Sequence, residues 1–189
     1  LHSAHTGKNS DRISTLEAFA DTIVPGEKRS ADDRAIAGAA DGPGAVAAGA
    51  IELLGTPATG LSDALDDYVR SLNEHATAHA ARQGLRLDPG LPPFTALSYE
   101  DRTAVVAALV APGHPEHELW VLLTLFCNMA FDTGAHLHTT DALAAGHPGL
   151  TALGFAKPDA DGLWRFPHFS YGRPLARLHP GTTPSGSPA

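Results

Sequence analysis

Residues 119–131 read LWVLLTLFCNMAF; eleven of the thirteen positions are apolar, and the two polar ones, Thr124 and Asn128, are four apart. A helix that is apolar on every side has no face to offer water, so other elements must surround it. This stretch is therefore the predicted central helix, over about residues 117–132. At ~1.5 Å rise per residue it spans about 20 Å, short of the roughly 30 Å hydrocarbon core of a bilayer, and no transmembrane segment is expected. Pro115 suits the entry to that helix, and Gly134 can end it in a left-handed conformation just ahead of His136 and His138.

Around that helix, the 189 residues suit one domain with a core of its own. The apolar fraction of 43% is carried by Ala and Leu with few β-branched runs, which predicts an all-α fold. The expected architecture is a compact bundle of about five to six helices around the apolar one. Lys and Arg number 13 against 21 Asp and Glu, for a net charge of −8 with no basic cluster. A nucleic-acid groove or an anionic lipid surface requires a positive stripe, so both partner classes are disfavoured. The single cysteine, Cys127, lies inside the apolar stretch, where it reads as a small buried hydrophobe. No disulfide can form within the chain, which is compatible both with the cytoplasm and with export of an already folded protein.

Taken in order, residues 1–12 are polar and are expected to be flexible. Ser14-Thr15-Leu16-Glu17 has the spacing of a capping box, and Leu16, Phe19, Ala20 and Ile23 follow at helical intervals until Pro25-Gly26, so a helix is predicted over about residues 15–24. Residues 27–43 are charged and small and read as a mobile connector that buries little. A second apolar segment covers residues 46–54. The clearest helix follows: Ser62 is its expected cap, Leu61, Leu65, Tyr68, Leu72, His75 and His79 form its inward stripe, and Gly84 closes it. Ser98-Tyr99-Glu100-Asp101 is a second cap, opening a helix with Val105, Val106, Leu109 and Val110 inward.

Past His138 the chain is broken every few residues by Gly or Pro, giving an irregular C-terminal segment of the single helical domain, 13–179, with a short strand permitted over 163–169. Trp164, Phe166, Phe169 and Tyr171 place too much apolar area there to leave in water, so these four are expected to pack on the helices or on a partner. Residues 180–189 read as a disordered tail.

Eleven histidines stand out. His75 and His79 are four apart on one helix face, as a chelating pair requires, and His136 and His138 would share a side if the backbone there were extended. These four are the candidate transition-metal ligands; the competing reading makes them amphipathic residues near helix ends, bonded to carbonyls or water. No Glu follows His75 in a His-Glu-x-x-His arrangement, so a zinc-protease reading fails. His114 and His117 would approach one another in a helical turn. Glu116 and Glu118 read as carboxylates complementing a helix dipole, and Asp132 and Asp141 as caps or, in the competing reading, as groups that orient an imidazole or complete a metal set. There is no dinucleotide or phosphate-loop motif and no nucleophile elbow, so no cofactor is expected on this chain.

The segment Ser14-Thr15-Leu16-Glu17-Ala18-Phe19-Ala20-Asp21-Thr22-Ile23-Val24-Pro25-Gly26 resembles the opening signature of the gluconate 2-dehydrogenase subunit 3 family, and Phe94-Thr95-Ala96-Leu97-Ser98-Tyr99-Glu100-Asp101-Arg102 is similar to that family's second recurring feature. A late Gly-x-Pro-like segment of the family has its counterpart in residues 147–155, so the resemblance covers 14–155 discontinuously. It implies an all-helical accessory subunit of a flavin-dependent oxidoreductase, aiding folding, export or docking, with the flavin and the redox chemistry on a larger partner chain. It also implies export by the twin-arginine route, with a leader removed ahead of Leu1; otherwise the chain is cytoplasmic. The family's Tyr-Gly-Gly-Asn type of sequence after the central helix is replaced here by Thr133-Gly134-Ala135-His136-Leu137-His138. That departure keeps open an alternative: a free-standing small enzyme, of secondary metabolism, using the histidines as a metal site or as acid and base.

Overall fold

The computed structural model describes residues 2–155, together with Lys157 and Gly181. Its first unit ends at Phe155, and residues 156–189 form a second one. The aromatic positions Trp164, Phe166, Phe169 and Tyr171, the permitted strand at 163–169 and the tail predicted at 180–189 all fall outside the described residues, Gly181 excepted.

The first unit is all-helical, with no strand among the described residues. Its α-helices are α1 (His2–Ile23), α2 (Ala50–Leu54), α3 (Leu65–Gln83), α4 (Pro93–Ala96), α5 (Tyr99–Leu109), α6 (His117–Asp132), α7 (Thr139–Ala144) and α8 (Pro148–Ala152). Two 3₁₀ turns, Pro57–Thr59 and Ser62–Ala64, lead into α3. Four of the eight α-helices are long; the others are one or two turns, which a bundle of five to six helices read from periodicity counts as loop.

Helix α6 coincides with the predicted central helix. It packs on α2, α8, α1 and α5, burying Trp120, Leu123, Cys127 and Ala130 along one side. The core continues through a chain of rings: Trp120 lies 6.0 Å from Phe19 and 6.1 Å from Tyr68, and Phe19 lies 6.4 Å from Phe94. Tilted and edge-on contacts of this kind add to what area burial alone contributes. The expectation that α6 is covered all round is corrected. Val121, Leu122 and Leu125 are 40%, 36% and 49% exposed on the side opposite the buried row, and Leu119, at the start of the helix and beside that row, is 47% exposed. Apolar density decided the helix, but it did not decide how many neighbours the helix has.

Two caps behave as their sequences predict. Ser98 accepts the backbone N–H of Asp101 at 3.1 Å to open α5, and Gly84 closes α3 in the left-handed region. The capping box at Ser14 does not form. No proline stands before Pro25, and α1 runs upstream through Ser14 to His2; the Ser14 hydroxyl instead lies 3.3 Å from that of Thr95. Ser62 does not cap α3 either, because it starts a 3₁₀ turn.

The largest departure concerns residues 27–43, which are not a loose connector. The chain leaves α1 and returns alongside itself, with Ala45 N–H on Val24 O (2.9 Å) and Glu27 N–H on Gly42 O (2.8 Å). Gly26 and Gly44 make that neck: a Cβ on either would overlap the other's backbone. Inside the loop, Asp33, Ala35 and Ile36 are buried. Asp21, buried on α1, accepts the N–H groups of Gly26 (3.1 Å) and Ala37 (2.8 Å). Arg102, buried on α5, donates to the carbonyls of Ala35 (2.7 Å), Arg34 (2.9 Å) and Thr95 (2.6 Å). Arg29 ties Glu17 (2.6 Å) to Asp33 (2.8 Å). Burial pushes the Asp33 carboxyl up, but bonds from Arg29 and Ile36 outweigh it and hold the group at about 2. Residues 33–39 form no helical turn, and the loop is held by this side-chain scaffold.

Candidate functional site

Helix α3 and the entry to α6 lie side by side, and their facing residues form the most chemically developed place among the described residues. Tyr68, Ser71 and His75 follow one another on one face of α3 at helical spacing. From α6 and the turn before it come His114, Glu116, Leu119 and Trp120. Glu116 Oε2 lies 2.8 Å from His75 Nε2 and accepts the indole N–H of Trp120 at 2.9 Å. The same carboxylate's backbone N–H donates to His114 Nδ1 (3.1 Å), and the His114 ring stands edge-on to His75 at 5.7 Å. Bonds from Trp120 and His75 hold the Glu116 carboxyl below the ordinary range, so it is ionised near neutrality. Because that carboxylate only accepts, neutral His75 carries its proton on Nε2 and leaves Nδ1 as a base. His75 and Glu116 are each about one third exposed, 34% and 37%, within reach of solvent and solutes.

Beside this group opens a cleft of about 470 Å³, lined by Tyr68, Trp120, Leu119, Ser71 and the carboxylates of Glu74 and Glu116. It is the feature that makes the group a candidate site rather than a structural tie.

One helical turn along α3, His79 meets a different carboxylate. Its Nε2 lies 3.0 Å from Asp101 Oδ1, while Ser98 Oγ donates to Asp101 Oδ2 at 2.5 Å. These two bonds, Ser98 first, hold the Asp101 carboxyl low. The serine bonds to the aspartate and not to the imidazole, so this is no nucleophile–base relay; it pins the start of α5 to α3. Thus His75 and His79 share a face, as their spacing predicts, but each is committed to its own partner.

The second predicted histidine pair is divided. Leu137 N–H closes a turn on Gly134 O (2.8 Å), so His136 lies in a turn and only His138 is extended. His138 is exposed and precedes α7, whereas His136 is half-buried against Gly49 and lies 6.0 Å, centroid to centroid, from the buried His147. His147 Nε2–H donates to Ala48 O (3.0 Å) and its Nδ1 accepts from Leu150 N–H (3.3 Å), which fixes a neutral tautomer. Desolvation, aided by His147, lowers the His136 pKa. Among the described residues no three His, Cys, Asp or Glu side chains converge as a metal set, so His75, His79, His136 and His138 are not brought to one centre. Cys127 is fully buried, and burial pushes its thiol up to about 12.

Sequence reasoning passed over Glu116 as a dipole complement and did not connect Trp120 with His75. The available signal was the spacing of Glu116 and Trp120, one turn apart on the entry to the most apolar helix, where an indole N–H needs an acceptor.

Among the described residues no helix is long and apolar enough to cross a membrane. No curated protein and no solved structure matches the chain. Residues 10–189 match the model of DUF5987, a family of unknown function, and the all-helical unit built around α6 is thus one of its members: the chain belongs to the DUF5987 family.

Proposed function

We propose that this chain is a helical accessory subunit that docks onto a flavin-dependent oxidoreductase through the outer side of α6. The observation that carries the reading is the group Val121, Leu122 and Leu125, three large aliphatic side chains on one side of a helix whose other side is core. Scattered exposed leucines need no explanation, but three large aliphatic side chains within five residues of one helix fit a partner's surface. The partner class comes from the resemblance of residues 14–26 and 94–102 to the small subunits of such dehydrogenases. Flavin sits on the partner in this reading. The test is co-expression with flavin-containing large subunits of the gluconate 2-dehydrogenase type, followed by size-exclusion chromatography. A stable complex is expected, lost in the double variant Leu122→Glu/Leu125→Glu with the helical content of the free chain unchanged. Persistence of the complex in that variant, or a chain that stays monomeric beside each flavoprotein, overturns the proposal.

A second reading rests on a separate observation, the His75–Glu116 pair beside a cleft. A carboxylate that fixes the tautomer of a partly exposed imidazole is the arrangement a general base needs, and the chain would then be a small metal-independent enzyme. Turnover found by substrate screening should disappear in His75→Gln. Undiminished turnover in that variant removes this reading.

A further inference from the structure

We propose that the cleft between α3 and the entry to α6 binds an organic cation, an amino group carried on a flat or aliphatic body. The argument begins with size: about 470 Å³ lies within the roughly 300–1,000 Å³ of small-molecule sites. Ala64, Leu119 and the rings of Tyr68 and Trp120 give it apolar walls. An apolar body gains there by leaving water.

Charge then selects the class of ligand. Of the ionisable groups lining the cleft, Arg70 is already bonded to Asp67 at 2.6 Å, so those two cancel. Glu74 and Glu116 remain. Glu74 has no partner among the described residues. Glu116 uses Oε2 for both His75 and Trp120, which leaves Oε1 free and holds the group rigid and ionised. An anion would meet the Glu74 carboxylate and the free Oε1 of Glu116, and a neutral body would desolvate these with nothing in return. An ammonium group satisfies both and can sit over the Tyr68 ring, whose hydroxyl has no partner among the described residues. The positive end of α6 opposes a cation, but Glu116 stands at that end and already answers it. The cleft does not depend on the docking surface, so either proposal survives failure of the other.

The experiment is calorimetric and NMR titration of the full chain with phenethylamine, with phenylethanol and 3-phenylpropanoate as its neutral and anionic counterparts. The amine is expected to bind and to shift the Tyr68 and Trp120 ring signals, while the other two do not. Glu74→Gln and Glu116→Gln should each weaken binding about tenfold, and Glu100→Gln, which removes the same charge outside the cleft, should leave it unchanged. Glu74 is exposed on α3, so its variant folds whatever becomes of Glu116→Gln. Equal or tighter binding of the alcohol or the carboxylate, absence of amine binding at millimolar concentration, or undiminished binding to the Glu74 variant overturns the proposal.

Discussion

Gly49 and His136 occupy one another's space: Gly49 stands at φ +88° ahead of α2, and a methyl group there would overlap Nε2 of the imidazole. The missing side chain is what lets the turn after α6 close over the start of α2. Gly49→Ala should therefore cost stability twice, through the positive φ and through displacement of the ring, by roughly 1–3 kcal/mol. Adding His136→Ala should recover the steric part only. Chemical denaturation of the single and double variants measures both, and equal stability of Gly49→Ala and wild type would contradict the contact.

The same imidazole predicts a pH dependence. Desolvation, then His147, lower the folded-state pKa of His136 below the ordinary 6.5, with Glu52 opposing. Below pH 6.5 the unfolded chain takes up a proton that the folded chain refuses. The neutral ring thus contributes stability above its unfolded pKa, and that contribution is lost as pH falls towards and through the folded value. Denaturation midpoints measured from about pH 8 down to 5 should decline, and His136→Gln should flatten the part of the decline lying below 6.5. An identical profile in the variant would remove His136 as the cause.

Arg102 is the post on which the loop 27–43 hangs. Replacing it by Met keeps much of the volume but strands the buried carbonyls of Ala35 and Thr95 and the part-buried one of Arg34. Each stranded acceptor costs about 1–3 kcal/mol, so Arg102→Met should destabilise by several kcal/mol, and Lys, with a differently shaped head, should not rescue it. Amide exchange supplies the location: protection at Ala37, whose N–H lies on Asp21, should fall further than protection in α3.

Gly149 opens a second close approach. A Cβ there would strike the backbone carbonyl of Phe131, so α8 can lie on the end of α6 only without one. Unlike the imidazole at Gly49, this obstacle cannot swing away. Gly149→Ala should detach α8 and expose Leu150 while leaving α1 and α3 formed. Loss of chemical-shift dispersion confined to residues 139–155 is the expected NMR result, and unchanged spectra would contradict it.

The features legible in the sequence follow from local physics. The bounds of α6, the Ser98 cap and the left-handed ends at Gly84 and Gly134 are each decided by a few neighbouring side chains. The rest depended on contacts distant in sequence. Asp21 and Arg102 look like ordinary surface charges until a loop from elsewhere brings them backbone partners. Glu116 looks like a dipole complement until α3 supplies His75. The histidine count drew attention to metal chemistry, while the rings were divided among carboxylates, a glycine and a backbone carbonyl.

Cys127, sealed in the middle of α6 with its thiol near 12, has a practical consequence. Its sulfur stays silent towards alkylating reagents while the fold is closed, because neither the thiolate nor a path to it exists. Modification therefore registers each opening of the protein's centre, and the chain carries a built-in gauge of its own breathing, with no second sulfhydryl to confuse the reading.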